Sequence, residues 1–270
     1  MAISVNTNLA AMSASRQVAR ASSDLQSSME RLSSGLRINR AADDAAGLGI
    51  SSRMRGTVSA LDQAGRNAQD AISMVQTADG AVGSVQGVLT RIRDLALQYN
   101  NGVYSAEDQA SITAEVAQLS AELTRLSGTA FNGKALFGGG TAASFQIGVD
   151  ATDTITLDQV DALTAIGSVV ADFVANGATT TTLTDLDTAI NDITRSRSTL
   201  GALQNRMSMT IDGLNNYKDN LIAAKSRIED VDVASEMSNF TRLQIRQQAG
   251  VSMLAQANQA PNIVLSLLGR

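Results

Sequence analysis

The chain of 270 residues carries 21 Lys and Arg against 26 Asp and Glu, a net charge of −5, with no His, no Cys and only 3% aromatic residues. Disulfides, thiolate nucleophiles, His-based triads, zinc sites with N or S ligands and haem with a His or Cys axial ligand are thereby excluded, and the acidic balance leaves no footprint for nucleic acid. Small aliphatic side chains must supply most of the burial, and with one proline, Pro261, little interrupts long helices.

The opening Met1 to Leu9 has neither the basic n-region nor the apolar h-region of a Sec signal peptide. Next, Ala11, Ala14, Val18, Ala21, Leu25, Met29, Leu32 and Leu36 form a narrow helical stripe. Further on, Ala68, Ala71, Val75, Ala78, Val82, Val85, Leu89, Ile92, Ala96 and Tyr99 alternate in steps of three and four, a heptad pattern that requires a partner helix. The helix is expected from near Asp43 to Tyr99, a rod of ~85 Å at the α-helical rise. Asn100-Asn101-Gly102 ends it with residues that tolerate left-handed backbone.

Ser105 with Asp108 reads as a capping box that starts a new helix, which carries Ile112, Val116, Leu119, Leu123 and Leu126 and stops at Ser127-Gly128. Phe145, Ile147 and Val149 alternate with polar or small residues, as do Ile155 and Leu157, and Asp150 to Asp153 lies between them, so a β-hairpin is expected. The Ala-, Gly- and Thr-rich stretch through Thr179–Thr182 is expected to be a weakly structured surface segment, tolerant of deletion. Thr184 with Asp187 marks a further helix start. A second heptad stripe follows at Leu200, Leu203, Met207, Thr210, Leu214, Tyr217, Leu221, Ala224 and Ile228, the expected antiparallel partner of the first. Near the end, Val233, Met237, Phe240, Gln244, Gln247, Val251, Leu254 and Leu265 form a stripe with Gln inside it. Both terminal stripes offer little apolar area, and such helices are expected to need other chains to be stable.

Sharper chemical readings are weak. Gly128 to Lys134 fits most of a P-loop, but Ala135 stands where the metal-binding hydroxyl belongs and a helix precedes it, so a turn is expected. Asp43-Asp44 could be a paired-carboxylate site for acid/base chemistry, and the plainer reading is an acidic first turn favoured by the helix dipole. Asp230 and Asp232 lack the spacing of a calcium loop and read as solvated charge. No apolar run reaches the ~18 residues of a membrane span, and the stripes lack the basic flanks of a membrane-surface helix.

Several contiguous motifs resemble the bacterial flagellin family: Ile3 to Ala10, Leu32-Ser-Ser-Gly-Leu-Arg-Ile-Asn-Arg-Ala-Ala-Asp-Asp-Ala-Ala-Gly-Leu-Gly-Ile50, Asp70 to Asp79, Arg91 to Ala96, Phe131-Asn-Gly-Lys134, Ser252 to Asn258, and Leu267-Leu268. The resemblance covers about 1–137 and 183–270, and nothing in 140–182 matches a family motif. It implies a structural subunit that polymerises with itself into the helical filament of the flagellum, outside the cell, after export through the flagellar type III apparatus. It also implies an export chaperone on the C-terminal segment, contacts with filament cap and junction proteins, and recognition by Toll-like receptor 5 through Arg91, Leu95 and Glu115. Two neighbours depart from the family pattern, Thr90 and Asp94.

These readings combine into a mainly α protein, an elongated antiparallel long-helix bundle or coiled coil with a small β-hairpin region. The expected segments are 1–42 (N-terminal core helix and spoke), 43–137 (N-terminal rod), 138–182 (variable hairpin and loop), 183–229 (C-terminal rod) and 230–270 (C-terminal core helix). Asp43, Asp44, Leu254 and Leu265 are the candidate subunit contacts. No enzyme activity, cofactor, metal, nucleic acid or membrane is expected. A hook–filament junction protein shares the terminal-helix logic and is the alternative. A flagellin carrying a metalloprotease insert would need His-Glu-x-x-His, which a chain without His cannot form.

Overall fold

The computed structural model describes residues 7–139 and 143–268. In chain order the elements are α1 (Leu9–Ser34), α2 (Ala45–Tyr99), α3 (Ala106–Ser127), β1 (Ala130–Phe131), β2 (Lys134–Ala135), β3 (Ala143–Gln146), β4 (Thr154–Leu157), α4 (Ala162–Asn176), α5 (Thr180–Glu229) and α6 (Val233–Leu268). The protein is mainly α, as the periodicity indicates, with long helices and two small antiparallel hairpins. Its contacts fall into two units: residues 1–56 with 220–270, and residues 57–219.

In the first unit α1 and α6 pack on each other antiparallel. Asn8 starts α1 by accepting the N–H of Ala11 at 3.0 Å, and Gly35 ends it at φ 72°, where its N–H closes on the carbonyl of Arg31. The register of the pair is fixed at three levels. The Asn8 amide donates to the Ala257 carbonyl at 2.7 Å, Val18 faces Gly250, and the Ser28 hydroxyl donates to the Glu236 carboxylate. A Cβ built on Gly250 would stand 2.9 Å from Val18 Cγ2, so this glycine permits the close approach. The α1 stripe holds with one shift: Ser28 is buried through its bond to Glu236, and Met29, expected inward, is exposed.

A corner joins the same unit. Leu36 bridges Asp230, the N–H of Arg37 donates to the Glu229 carbonyl at 2.7 Å, and the N–H of Val231 donates to the Gly35 carbonyl at 3.0 Å. The Arg37 guanidinium adds a bond to the Ile228 carbonyl at 2.6 Å. Glu229 is only 2% exposed, and its carboxylate is met by Arg55 at 2.7 Å and by Lys225 at 3.5 Å. A buried carboxylate without such cations would be expensive.

The second unit is organised by the α2 stripe. Ala68, Ala71, Val75, Ala78, Val82, Val85, Leu89, Ile92 and Ala96 are all buried, as read, and Tyr99 is partly so. Against them lie Leu186, Ala189, Ile193, Leu200 and Met207 of α5. Three ion pairs report the antiparallel register of α2 and α5: Arg93 with Asp187 at 2.5 Å, Asp79 with Arg197 at 3.0 Å, and Asp62 with Lys218 at 3.0 Å. Each is partly exposed and worth at most ~1 kcal/mol, so burial sets the pairing and the charges trim it. Tyr217, placed in the α5 stripe by periodicity, is half exposed. Helix α3 begins as expected on the Ser105–Asp108 capping box and carries Ile112, Val116, Leu123 and Leu126 inward.

The stretch after β4 departs from the expectation of a weakly structured surface. It folds into α4, which packs on α3. Ile166, Val170 and Phe173 are buried at helical spacing, and the Phe173 ring meets Tyr99 edge-on at 5.8 Å. Thr179 and Thr182 exchange side-chain bonds in which the N–H of each meets the hydroxyl of the other, at 3.3 and 3.2 Å. This start places the α5 N-terminus four residues before the expected Thr184. The hairpin also differs in extent. The expected hairpin forms with Phe145 opposite Ile155, but β3 stops at Gln146 and Val149 lies exposed beyond it.

Phe173→Ala removes a fully buried ring and is expected to lower the stability of the second unit by ~3–5 kcal/mol, read as a shifted denaturant midpoint. A change below ~1 kcal/mol would show that the segment is the dispensable surface its composition suggests.

Candidate functional site

The chemistry-bearing positions are locally satisfied. Asp44 caps α2 by accepting the Gly47 N–H at 2.9 Å. One Asp43 carboxylate oxygen accepts the N–H groups of Arg40 at 2.9 Å and Asn39 at 3.1 Å, and the other lies 3.6 Å from Arg31. Both aspartates therefore shape the turn between α1 and α2 from within their own chain. The N–H of Arg40 first, then that of Asn39, then the Arg31 guanidinium hold the Asp43 carboxyl below its ordinary value. Asp232 accepts the N–H of Ala234 at 3.0 Å at the start of α6, and Asp230 accepts the Ser226 hydroxyl at 2.5 Å, so both take part in local bonds around that helix start. The P-loop-like stretch is the β1–β2 hairpin, turned at Asn132 (φ 49°) and Gly133 (φ 78°), a two-residue turn with both φ positive.

Arg91 reaches across from α2 to clasp one carboxylate oxygen of Glu115 on α3 at 2.6 and 2.9 Å, on the surface. Leu95, one turn on, is 2% exposed and belongs to the core of the second unit. The three receptor candidates thus divide into an exposed ion pair and a packed leucine beneath it. A cavity of about 360 Å³ beside β2 is lined by Met74, Leu136, Ala143 and Leu157 with Lys134 and Asp158, and holds no nucleophile–base pair.

What stands out is a surface left open. The α6 stripe read from sequence splits in two. Phe240, Gln247 and Leu254 belong to the seam that faces α1, together with Glu236, Leu243 and Gly250. Val233, Met237, Gln244 and Val251, read as part of the same stripe, lie outside that seam, with Val251 52% exposed. They recur along one line about 100° around the helix from the covered one. Leu254 is therefore half-buried inside its own chain, and Leu265 lies in α6 with its side chain outside the described residues. On α1, Leu9, Met12 and Met29 are likewise exposed. Beside Gly250 a notch of about 220 Å³ is flanked by Arg20, Asp24 and Arg246. Sequence reading missed Glu229 and Arg55, which lie 174 positions apart and leave no local pattern.

Long helices that carry an exposed, largely apolar line define the class as a helical protein suited to pack on other helices. Residues 5–142 match the family model of the bacterial flagellin N-terminal helical region, and residues 183–268 that of the C-terminal helical region. The chain is 45% identical over 270 residues to a flagellin of Halalkalibacterium halodurans, covering 98% of this chain and 99% of the relative. It is 43% identical over 288 residues to the flagellar filament 33 kDa core protein of Treponema phagedenis, again with 98% and 99% covered. A solved structure of a putative flagellar hook-associated protein from Vibrio parahaemolyticus, 13% identical with TM-score 0.55 over 70% of this chain and 100% of that one, shares the fold alone. The chain belongs to the bacterial flagellin family. It is a self-associating structural subunit of the flagellar filament and not an enzyme, and full-length relatives that are flagellins disfavour the junction alternative.

Because the Asp43 carboxyl is depressed in the folded chain, its contribution to stability is complete at neutral pH. That contribution is lost as pH falls below about 4, through the folded value. Asp43→Asn is therefore expected to flatten the acid limb of stability below about pH 4, measured as urea midpoints down a pH series. An acid limb identical to the parent's would contradict this role.

Proposed function

We propose that residues 1–42 and 230–270 form the packed core of the flagellar filament, with 43–137 and 183–229 as the rod around it and 138–182 facing outward. The uncovered line on α6 supports this reading, because it is largely apolar, helical in spacing and exposed among the described residues. An interface of this kind repeats head to tail and leaves the polymer open. Leu254 and Leu265 act in or beside this contact, while Asp43 and Asp44 act by holding the turn that presents it. Subunits leave the cell through the flagellar type III apparatus, with an export chaperone covering the C-terminal segment beforehand. Cap and junction proteins meet the same terminal helices.

Two experiments test this. Val251→Asp places a charge on the open line at a half-exposed position outside the α1 seam. Filament formation by electron microscopy is expected to fail, while far-ultraviolet circular dichroism of the monomer stays unchanged. Filaments of normal length would refute the assignment. Recognition by Toll-like receptor 5 rests on the exposed Arg91–Glu115 pair, with Leu95 as the packing that holds it. Arg91→Ala is expected to weaken monomer signalling in receptor-expressing cells by roughly ten-fold, in line with the loss of a charged contact; undiminished signalling would remove Arg91 from the contact.

A further inference from the structure

With no Cys, the methionine thioether is the most readily oxidised sulfur the chain offers. Methionine in a helix normally fills the core, and Met74 and Met207 do so here. Met12, Met29, Met209, Met237 and Met253 instead stand 48–70% exposed. Four of these five belong to α1 and α6. The antiparallel register set by Asn8 on Ala257, Val18 on Gly250 and Ser28 on Glu236 brings Met12 level with Met253 and Met29 level with Met237. The unit thus carries two levels of exposed thioethers, about 25 Å apart along the helices. Met237 also lies on the uncovered line with Val233 and Val251.

We propose that Met12, Met29, Met237 and Met253 are sites of reversible oxidation by hydroperoxides, and that their sulfoxides block assembly. This rests on the reading that the terminal pair carries the polymer contacts. In the step, the thioether sulfur attacks the distal oxygen of the peroxide. An S–O bond forms as the O–O bond breaks, the sulfur is oxidised by two electrons, and the departing hydroxide or alkoxide takes a proton to leave as water or alcohol. The side chain gains a strong acceptor oxygen and becomes polar. Burying that oxygen against apolar neighbours without a donor is costly, and of the positions beside Met237 on the open line Val233 supplies none, leaving the Gln244 amide, two turns away, as the one side-chain donor there. The helices themselves stay intact, because none of the four thioethers is buried in the seam of the single chain.

The test treats purified monomer with hydrogen peroxide, maps sulfoxides by peptide mass spectrometry and measures the critical concentration for polymerisation. Oxidation is expected at the four sites before Met74 and Met207, with the critical concentration raised roughly ten-fold or more and monomer helicity unchanged. The variant carrying Met12→Leu, Met29→Leu, Met237→Leu and Met253→Leu is expected to polymerise equally well before and after peroxide, although Met209 still oxidises. Unchanged polymerisation of wild-type protein bearing the four sulfoxides would overturn the proposal, as would equal loss in the leucine variant. If the leucine variant does not assemble at all, repair of oxidised wild-type protein by methionine sulfoxide reductases for both epimers decides. Recovery of assembly supports the proposal and no recovery overturns it. Untreated wild-type protein that never polymerises would instead bring down the assembly reading, and this inference with it.

Discussion

The scarcity of large side chains constrains everything else in this protein. With aromatics at 3% and no Trp, burial must come from Ala, Val, Leu and Ile, each of which removes little area from water. Ordering a residue costs ~1–2 kcal/mol of backbone entropy, so small side chains balance that cost only over long stripes and at close approach. The α2 stripe meets the demand by length, running unbroken from Ala68 to Ala96 against α5. The α1–α6 pair meets it by proximity, with Gly250 against Val18 and Ala21 buried on the opposing face. Where the chain can afford neither, it borrows polar closure, as Ser28 does with Glu236.

The same constraint explains what the sequence made legible. Alternating gaps of three and four placed the buried residues from Ala68 to Ala96 because an uninterrupted heptad admits one phase, but not Leu61 and Ala64, which extend the buried line, or Met74 and Leu95, which widen it. The Ser105–Asp108 box was readable because capping is local. Helix α4 was missed although Ile166, Val170 and Phe173 follow helical steps, since the Ala, Gly and Thr around them read as loop. The α6 stripe merged two lines because Phe240, Gln247 and Leu254 sit three residues or one turn from Val233, Met237, Gln244 and Val251. Only the position of α1 separates the lines. The Arg55–Glu229 pair and the corner from Gly35 to Arg37 are long-range, and no periodicity announces them. The candidate contacts fared similarly: Asp43 and Asp44 were visible as charges, but their bonds to Arg40, Asn39 and Gly47 depend on the turn they build.

Charge follows the division into units. Residues 1–56 and 220–270 hold 12 Lys and Arg against 8 Asp and Glu, whereas residues 57–219 hold 9 against 18. The net acidity of the chain is thus carried wholly by the second unit. Arg20 and Arg246 beside the Gly250 notch contribute to the positive balance of the first. The open line therefore belongs to the unit whose own charge is net positive, not to the strongly acidic one.

The offset of the two lines on α6 has a consequence best put in terms of connectivity. A helix with a single seam has a valence of one: it closes on its partner and is finished. If the exposed line serves as a second seam, as proposed, two seams about 100° apart would give each helix one link inward and another to a neighbouring copy, making the helix a node in a network. In such a network no copy is held by one neighbour alone, and the loss of a single link leaves the node attached by the rest. Mechanical load is then shared among many shallow contacts of Ala, Val and Met, each weak enough to form and re-form. A protein poor in large side chains can in this way belong to a tough material without possessing any one strong bond.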